Sequence, residues 1–226
     1  MTSAKRHAAN AALELIGDGM KLGLGTGSTA ALFLDALAEK VRGGLDIEGV
    51  PTSQRTEERA RELGIPLFQP DETTRLDLVI DGADEIDAQG RMIKGGGGAM
   101  LGEKIVASAA AKFVLVADVS KRVGTLGRFP LPVEVVPFAY ATTIRAIRET
   151  LTALGYEGAK VELRGAEGGG FAETDSGNLI ADLHLGRIME PEELDAALTL
   201  IPGVVTTGLF IGFDVHPLIA DENGIT

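Results

Sequence analysis

The sequence predicts an α/β fold, with an open, mostly parallel sheet flanked by helices and a smaller α+β domain attached. Three observations carry this. Short apolar runs of strand length alternate with helix-length segments through the first half of the chain. The pattern changes after Gly127, where Pro130 and Pro132 bracket a junction. Glycine is in surplus, 30 of 226 residues against a usual ~7%, and it gathers in loops after strand-like runs.

In chain order, Ala8, Ala12 and Ile16 recur at helical spacing, and 20–24 reads as a short strand. Ala30, Ala31, Leu34, Leu37, Ala38 and Val41 form one apolar stripe, so 28–42 reads as a helix. A strand at 47–51 precedes a polar helix at 54–63, closed by Gly64. Residues 65–68, 76–80 and 113–117 have buried-strand character, with a helix at 99–111 between the last two. Such βαβα alternation favours parallel strands with helices on both faces, a Rossmann-like arrangement. Beyond the junction come a strand at 133–136, a helix carrying Tyr140, Ile144, Ile147, Leu151 and Leu154, and strands at 159–164 and 178–185. A helix at 191–200 begins with Pro191, and 204–210 is a last strand. The order β-α-β-β-α-β suggests a ferredoxin-like small domain. The expected division is 1–128 plus 203–226 for the main domain and 129–202 for the small one.

With 33 acidic and 21 basic side chains the net charge is −12, which disfavours general binding to nucleic acid or to anionic membranes. There is no cysteine, so disulfides, thiolate nucleophiles and Cys-ligated metals are excluded. That is compatible with the cytoplasm, where the chain is expected to work. No apolar run approaches the ~20 residues of a membrane span, and residues 1–17 lack the apolar stretch of a secretory signal.

Four segments could carry chemistry. In Gly23-Leu24-Gly25-Thr26-Gly27-Ser28-Thr29-Ala30, between a strand and a helix, glycines allow close backbone approach. The helix N-terminus and the hydroxyls of Thr26, Ser28 and Thr29 offer donors, as a phosphate cradle would. A relaxed dinucleotide fingerprint also fits, but the acid expected after the second strand is replaced by Val50-Pro51-Thr52-Ser53. A tight capped turn is the plain alternative. In Asp81-Gly82-Ala83-Asp84-Glu85-Ile86-Asp87, four carboxylates follow an apolar strand. The carboxyl ends of parallel strands are where open α/β sheets bind ligands, and carboxylates there can accept sugar hydroxyls or serve as acid and base. A solvated loop and a metal site are the other readings, though the alternate spacing of an EF-hand is absent.

In Lys94-Gly95-Gly96-Gly97-Gly98-Ala99, lysine precedes the glycines, unlike a Walker A loop. The segment can wrap a small ligand around a fixed positive charge, with Glu103 in the first turns of the next helix; a flexible hinge is the alternative. Asp118-Val119-Ser120-Lys121 places another cation past a strand, and Lys5 is a further candidate, although each alone reads as a surface lysine. His7, His184 and His216 lie outside all four segments, and no Gly-x-Ser-x-Gly elbow occurs.

Taken together, these segments resemble ribose-5-phosphate isomerase, type A. The matching stretches are GLGTGSTA at 23–30, VPTS at 50–53, DGADEID at 81–87, KGGGGA at 94–99 with Glu103-Lys104, LGRFPLPVEVVPF at 126–138 and IPGVVTTGLF at 201–210. The resemblance implies interconversion of D-ribose 5-phosphate and D-ribulose 5-phosphate in the non-oxidative pentose phosphate pathway, without a cofactor or metal, by a homodimer or homotetramer. It makes Glu103 the proton acceptor, and the chemistry of such an isomerisation adds Asp81, Asp84 and Lys94 as catalytic residues: the lysine for the oxyanion, the aspartates for ring opening and hydroxyl protons. Substrate binding falls to Thr26, Gly27, Ser28, Thr29, Asp81, Gly82, Ala83, Asp84, Lys94, Gly95, Gly96, Gly97 and Lys121, with Lys5 added. Many members carry a basic or amide residue just before the glutamate, where this chain has Gly102. Two rivals are a sugar-phosphate-sensing module of the same fold without turnover, and a coenzyme A transferase using glutamate as nucleophile.

Overall fold

A computed structural model describes residues 2–226. In chain order the elements are α1 (Thr2–Leu13), β1 (Met20–Leu24), α2 (Ser28–Arg42), β2 (Ile47–Pro51), α3 (Gln54–Leu63), β3 (Leu76–Asp81), β4 (Glu85–Ile86), β5 (Met92–Ile93), α4 (Met100–Ser108), β6 (Ala110–Asp118), β7 (Leu131–Val135), α5 (Tyr140–Ala153), β8 (Lys160–Leu163), β9 (Leu179–His184), α6 (Pro191–Thr199), β10 (Val204–Thr207), β11 (Leu209–Phe210) and β12 (Val215–Ala220). A 3-10 turn, Val119–Lys121, follows β6.

The chain forms two compact units. The first comprises Met1–Ala83, Gly102–Arg122 and Gly212–Thr226. Its core is a five-stranded sheet in the order β12-β6-β3-β1-β2, parallel throughout. Leu22 and Leu24 of β1, Ile80 of β3, and Val114 and Val116 of β6 pack with Ala8, Ala12, Phe33, Leu34 and Leu37 of α1 and α2. On β1, Gly23 alternates with those leucines and so faces away from them. A Cβ on Gly23 would lie 2.7 Å from Val106 of α4 and from Val79, so glycine here lets α4 approach the sheet closely. Strand order reverses between β1 and β3, making a topological switch point at their carboxyl ends.

The second unit comprises Asp84–Leu101 and Val123–Ile211. Its antiparallel sheet has the order β10-β7-β9-β8, and with α5 and α6 it has the expected β-α-β-β-α-β order. Leu131, Val133, Val135, Ile147, Leu151, Leu194 and Leu198 are among the residues of its core. A small antiparallel sheet, β11-β5-β4, completes the unit.

The division differs from the expected one. Residues 84–101, 123–128 and 203–211 all join the smaller unit. Backbone pairing explains this: β5 lies between β4 and β11, and the carboxylate of Glu85 accepts the N–H groups of Gly127 and Phe129, both at 2.7 Å. The strand read at 204–210 is split at Gly208 between two sheets, where a Cβ would lie 2.3 Å from the Lys94 carbonyl oxygen. The strand read at 65–68 is reduced to one bridge, Leu67 to Gly49, beside Pro66, which has no N–H to give. The helix read at 99–111 stops at Ser108, because Ala110 already pairs with Leu76. β12 escapes the pattern reading: Pro217 marks it against a strand, but β12 is an edge strand, where proline is tolerated.

Candidate active site

In the larger unit the site forms at the switch point. The first loop leaves β1 with Gly25, whose N–H donates to the Ile80 carbonyl at 3.0 Å. A Cβ on Gly25 would sit 2.4 Å from Asp81 Oδ1, so only glycine allows the loop to lie against β3. Asp81 ends β3 fully buried, and its Oδ1 accepts the N–H of Thr26 at 3.0 Å and of Gly82 at 2.7 Å. Gly27 caps α2 with φ 118°, a conformation that favours glycine. The Ala31 N–H donates to the Gly27 carbonyl at 2.9 Å, so the N–H groups of Ser28, Thr29 and Ala30 ahead of it have no acceptor inside the helix.

A cluster of hydroxyls underlies this loop. Thr26 Oγ1 lies 2.8 Å from Thr52 Oγ1, 2.7 Å from Ser53 Oγ and 3.0 Å from Thr56 Oγ1, and Thr56 Oγ1 also donates to the Gly25 carbonyl at 3.0 Å. Ser53 caps α3 by accepting the Thr56 N–H at 3.1 Å. Thr56 escaped the sequence reading, since a threonine three residues past a serine cap signals only a helix start. Thr52 and Ser53 stood out in the sequence as residues replacing an expected acid and as part of the VPTS stretch, but neither was named as a site residue.

Cations gather at the same edge. Lys5 of α1 donates from Nζ to Ser28 Oγ at 2.8 Å. Asp118 ends β6 and accepts from the N–H of Ser120 at 3.0 Å and from its hydroxyl. Burial alone would push the Asp118 carboxyl up, but the Ser120 hydrogen bonds, joined by the charges of Lys5 and Lys121, hold it below the ordinary aspartate value. Glu103, 5% exposed, stands in the first turn of α4. The preceding Gly102 approaches the end of β2 so closely that a Cβ would be 2.3 Å from the Thr52 carbonyl oxygen.

The smaller unit holds the other expected residues. Asp84 is fixed by its N–H donating to the Ile93 carbonyl at 2.8 Å, and its Oδ2 accepts the Gly96 N–H at 2.8 Å. Gly96 must be glycine, because a Cβ would sit 2.8 Å from Asp84 Oδ1. Lys94 is 2% exposed, with its N–H on the Gly208 carbonyl at 2.9 Å and its ammonium 5.5 Å from the centre of the Phe210 ring. Gly95 is buried, whereas Gly96 and Gly97 are exposed.

The four carboxylates of the acidic segment divide by role. Glu85 holds the backbone of Gly127 and Phe129, while Asp87 accepts from the N–H groups of Gln89 and Arg91 and pairs with Arg91 Nε at 2.7 Å. These two therefore brace the fold, which also relieves the charge crowding. His7 Nδ1 lies 3.2 Å from the Asp221 carbonyl and His184 Nε2 lies 3.2 Å from Glu162, both apart from the described site residues. Among the described residues no group of three His, Asp or Glu side chains is placed to hold a metal ion. No helix among the described residues is long and apolar enough to cross a membrane.

Fold and site together define a class: an α/β enzyme with a glycine loop and a helix N-terminus at the switch point of a parallel sheet and buried carboxylates beside them. A family model for ribose 5-phosphate isomerase A (phosphoriboisomerase A) matches residues 48–224, and the chain belongs to that family. It is 54% identical to ribose-5-phosphate isomerase A of Parvibaculum lavamentivorans over 97% of this chain and 95% of the relative. To the protein of the same name from Rhodopseudomonas palustris strain BisB5 it is 53% identical over 98% and 95%. Ribose 5-phosphate isomerase A of Methanocaldococcus jannaschii superposes with a TM-score of 0.91 at 39% identity, covering 100% of this chain and 97% of that one. A D-ribose-5-phosphate isomerase solved in complex with phospho-erythronic acid superposes equally well, at 38% identity and the same coverage.

Proposed function

We propose that the chain interconverts D-ribose 5-phosphate and D-ribulose 5-phosphate through an enediolate, as an enzyme of the non-oxidative pentose phosphate pathway. The observation that carries this reading is the buried Glu103, seated over the sheet by Gly23 and Gly102. A carboxylate so placed takes the proton from C2 of the open-chain aldose, and the C–H electron pair forms the enediolate. The same carboxylate returns the proton to C1, giving the ketose. Lys94 and the N–H groups of the glycine loop meet the oxyanion as it develops. Asp81 and Asp84 serve ring opening and the movement of hydroxyl protons, Asp81 also holding the cradle. The phosphate sits on residues 26–29 with Lys5 and Lys121 as counter-charges, which turns binding energy into orientation of a flexible chain. Gly82, Ala83, Gly95, Gly96 and Gly97 contribute backbone contacts to the same substrate. We assign the enzyme to the cytoplasm as a homodimer or homotetramer, following the family resemblance.

The test is incubation with ribose 5-phosphate in D2O. Deuterium at C1 or C2 is the expected result, and its absence, with no ketose formed, would leave a binding module without turnover. Glu103→Gln is expected to lower kcat by at least about 10³-fold while ribose 5-phosphate still binds. Near-normal turnover in that variant would remove Glu103 as the base.

A further inference from the structure

The loop that follows Lys94 is anchored by a residue distant in sequence. Arg164, one residue past β8, donates from Nη1 to the carbonyl oxygens of Gly95 at 3.0 Å and Gly96 at 3.1 Å. Its Nε and Nη2 engage both oxygens of Asp182 on β9, at 2.8 and 2.5 Å. This is the two-pronged pairing in which arginine is held most rigidly. The two side chains are only 20% and 19% exposed. The backbone of Arg164 is fixed as well, its N–H donating to the Ile180 carbonyl and its own carbonyl accepting from Ala172, both at 2.8 Å.

In a trans peptide the C=O and the N–H point in opposite directions. Drawing the Gly95 and Gly96 carbonyls toward Arg164 therefore turns the N–H groups of Gly96 and Gly97 to the other side. The first is used there, by Asp84. The second belongs to an exposed residue and has no protein acceptor among the described residues. Successive N–H groups presented on one side make an anion-binding concavity. We propose that Arg164, held by Asp182, is a positioning residue that aims the Gly97 N–H at the oxyanion of the enediolate. This rests on the isomerase reading above and adds to it a device for stabilising the transition state. Neither residue touches substrate; they act through the loop.

The experiment uses the full chain with Arg164→Met, Arg164→Lys and Asp182→Asn. Each is measured for kcat and KM with ribose 5-phosphate, for binding of phospho-erythronic acid, whose carboxylate carries the charge of the intermediate, and for melting temperature. Arg164→Met is expected to lower kcat about 10²-fold, the scale of one oxyanion donor, with KM changed less than threefold. Affinity for phospho-erythronic acid should fall relative to that for ribose 5-phosphate. Arg164→Lys keeps the charge but cannot fork between Asp182 and two carbonyls, so an intermediate loss is expected; Asp182→Asn should lose about tenfold.

The proposal is overturned if folded Arg164→Met turns over within twofold of the parent. It is also overturned if kcat and melting temperature fall together while the ratio of the two affinities stays constant, because that is a purely structural role. Should Arg164→Met not fold, the same ratio in the other two variants decides. Glu103→Gln run alongside separates the two readings: turnover retained there sinks the isomerase mechanism itself, whereas an inactive Glu103→Gln beside normal Arg164 variants sinks only the positioning role.

Discussion

Lys5 shows how much a single side chain depends on where the fold carries it. In sequence it is one cation in a polar N-terminal helix. In the structure it reaches Ser28 at the start of α2 and contributes charge at Asp118. A charge-assisted contact of this kind is worth about 1.5–3 kcal/mol, so Lys5→Ala should raise KM for ribose 5-phosphate roughly tenfold or more with kcat little changed. An unaltered KM would remove Lys5 from the phosphate site. Asp118 offers a pH test with a definite sign. Its folded-state pKa lies below the ordinary aspartate value, so its contribution to stability is fully present above that value, near 3.9. It is lost as pH falls further, through the folded pKa. Denaturant melts of Asp118→Asn should therefore show lower stability than the parent at pH 7, with the gap closing toward pH 3. A gap that stayed constant with pH would refute the linkage.

At the scale of elements, α4 is set by two glycines rather than by its own propensity. Gly102 weakens a helix by about 1 kcal/mol relative to alanine, yet a Cβ there would be 2.3 Å from backbone oxygen at Thr52. Overpacking of this kind costs about 1–3 kcal/mol, so contact outweighs propensity. Gly102→Ala should lower the melting temperature by several degrees and reduce kcat more than it raises KM, because α4 must shift and carries Glu103 with it. A more stable and fully active Gly102→Ala would show that α4 has room to spare. The long helices α2, α3 and α5 were legible because an apolar stripe or a glycine stop dictates them locally. β4 and β5 were not, nor was the break that sends β11 to a different sheet from β10, since two-residue strands exist only through their partners.

At the scale of the molecule, the smaller unit leaves Phe138 and Leu200 more than four-fifths exposed. The resemblance already implies a homo-oligomer, and light scattering should give a mass at least twice the 23.6 kDa of one chain. A monomer at micromolar concentration would contradict that expectation. Composition also acts at this scale: a net charge of −12 opposes a dianionic substrate, and the proposed phosphate site answers this with Lys5 and Lys121, which supply the opposite sign.

The sequence by itself determined the parallel α/β architecture, the order of the small unit, and the glycine loops and carboxylates that mark the family. Those features rest on local periodicity, on turn chemistry and on glycines that no side chain could replace, all written along the chain. Only the tertiary structure decided the roles of Glu85 and Asp87 as braces, the hydroxyl cluster beneath Thr26, the boundary between the units, and the hold of Arg164 on the Gly95 and Gly96 carbonyls. Each of those depends on hydrogen bonds between residues far apart in sequence, and such partners become neighbours only once strands have paired.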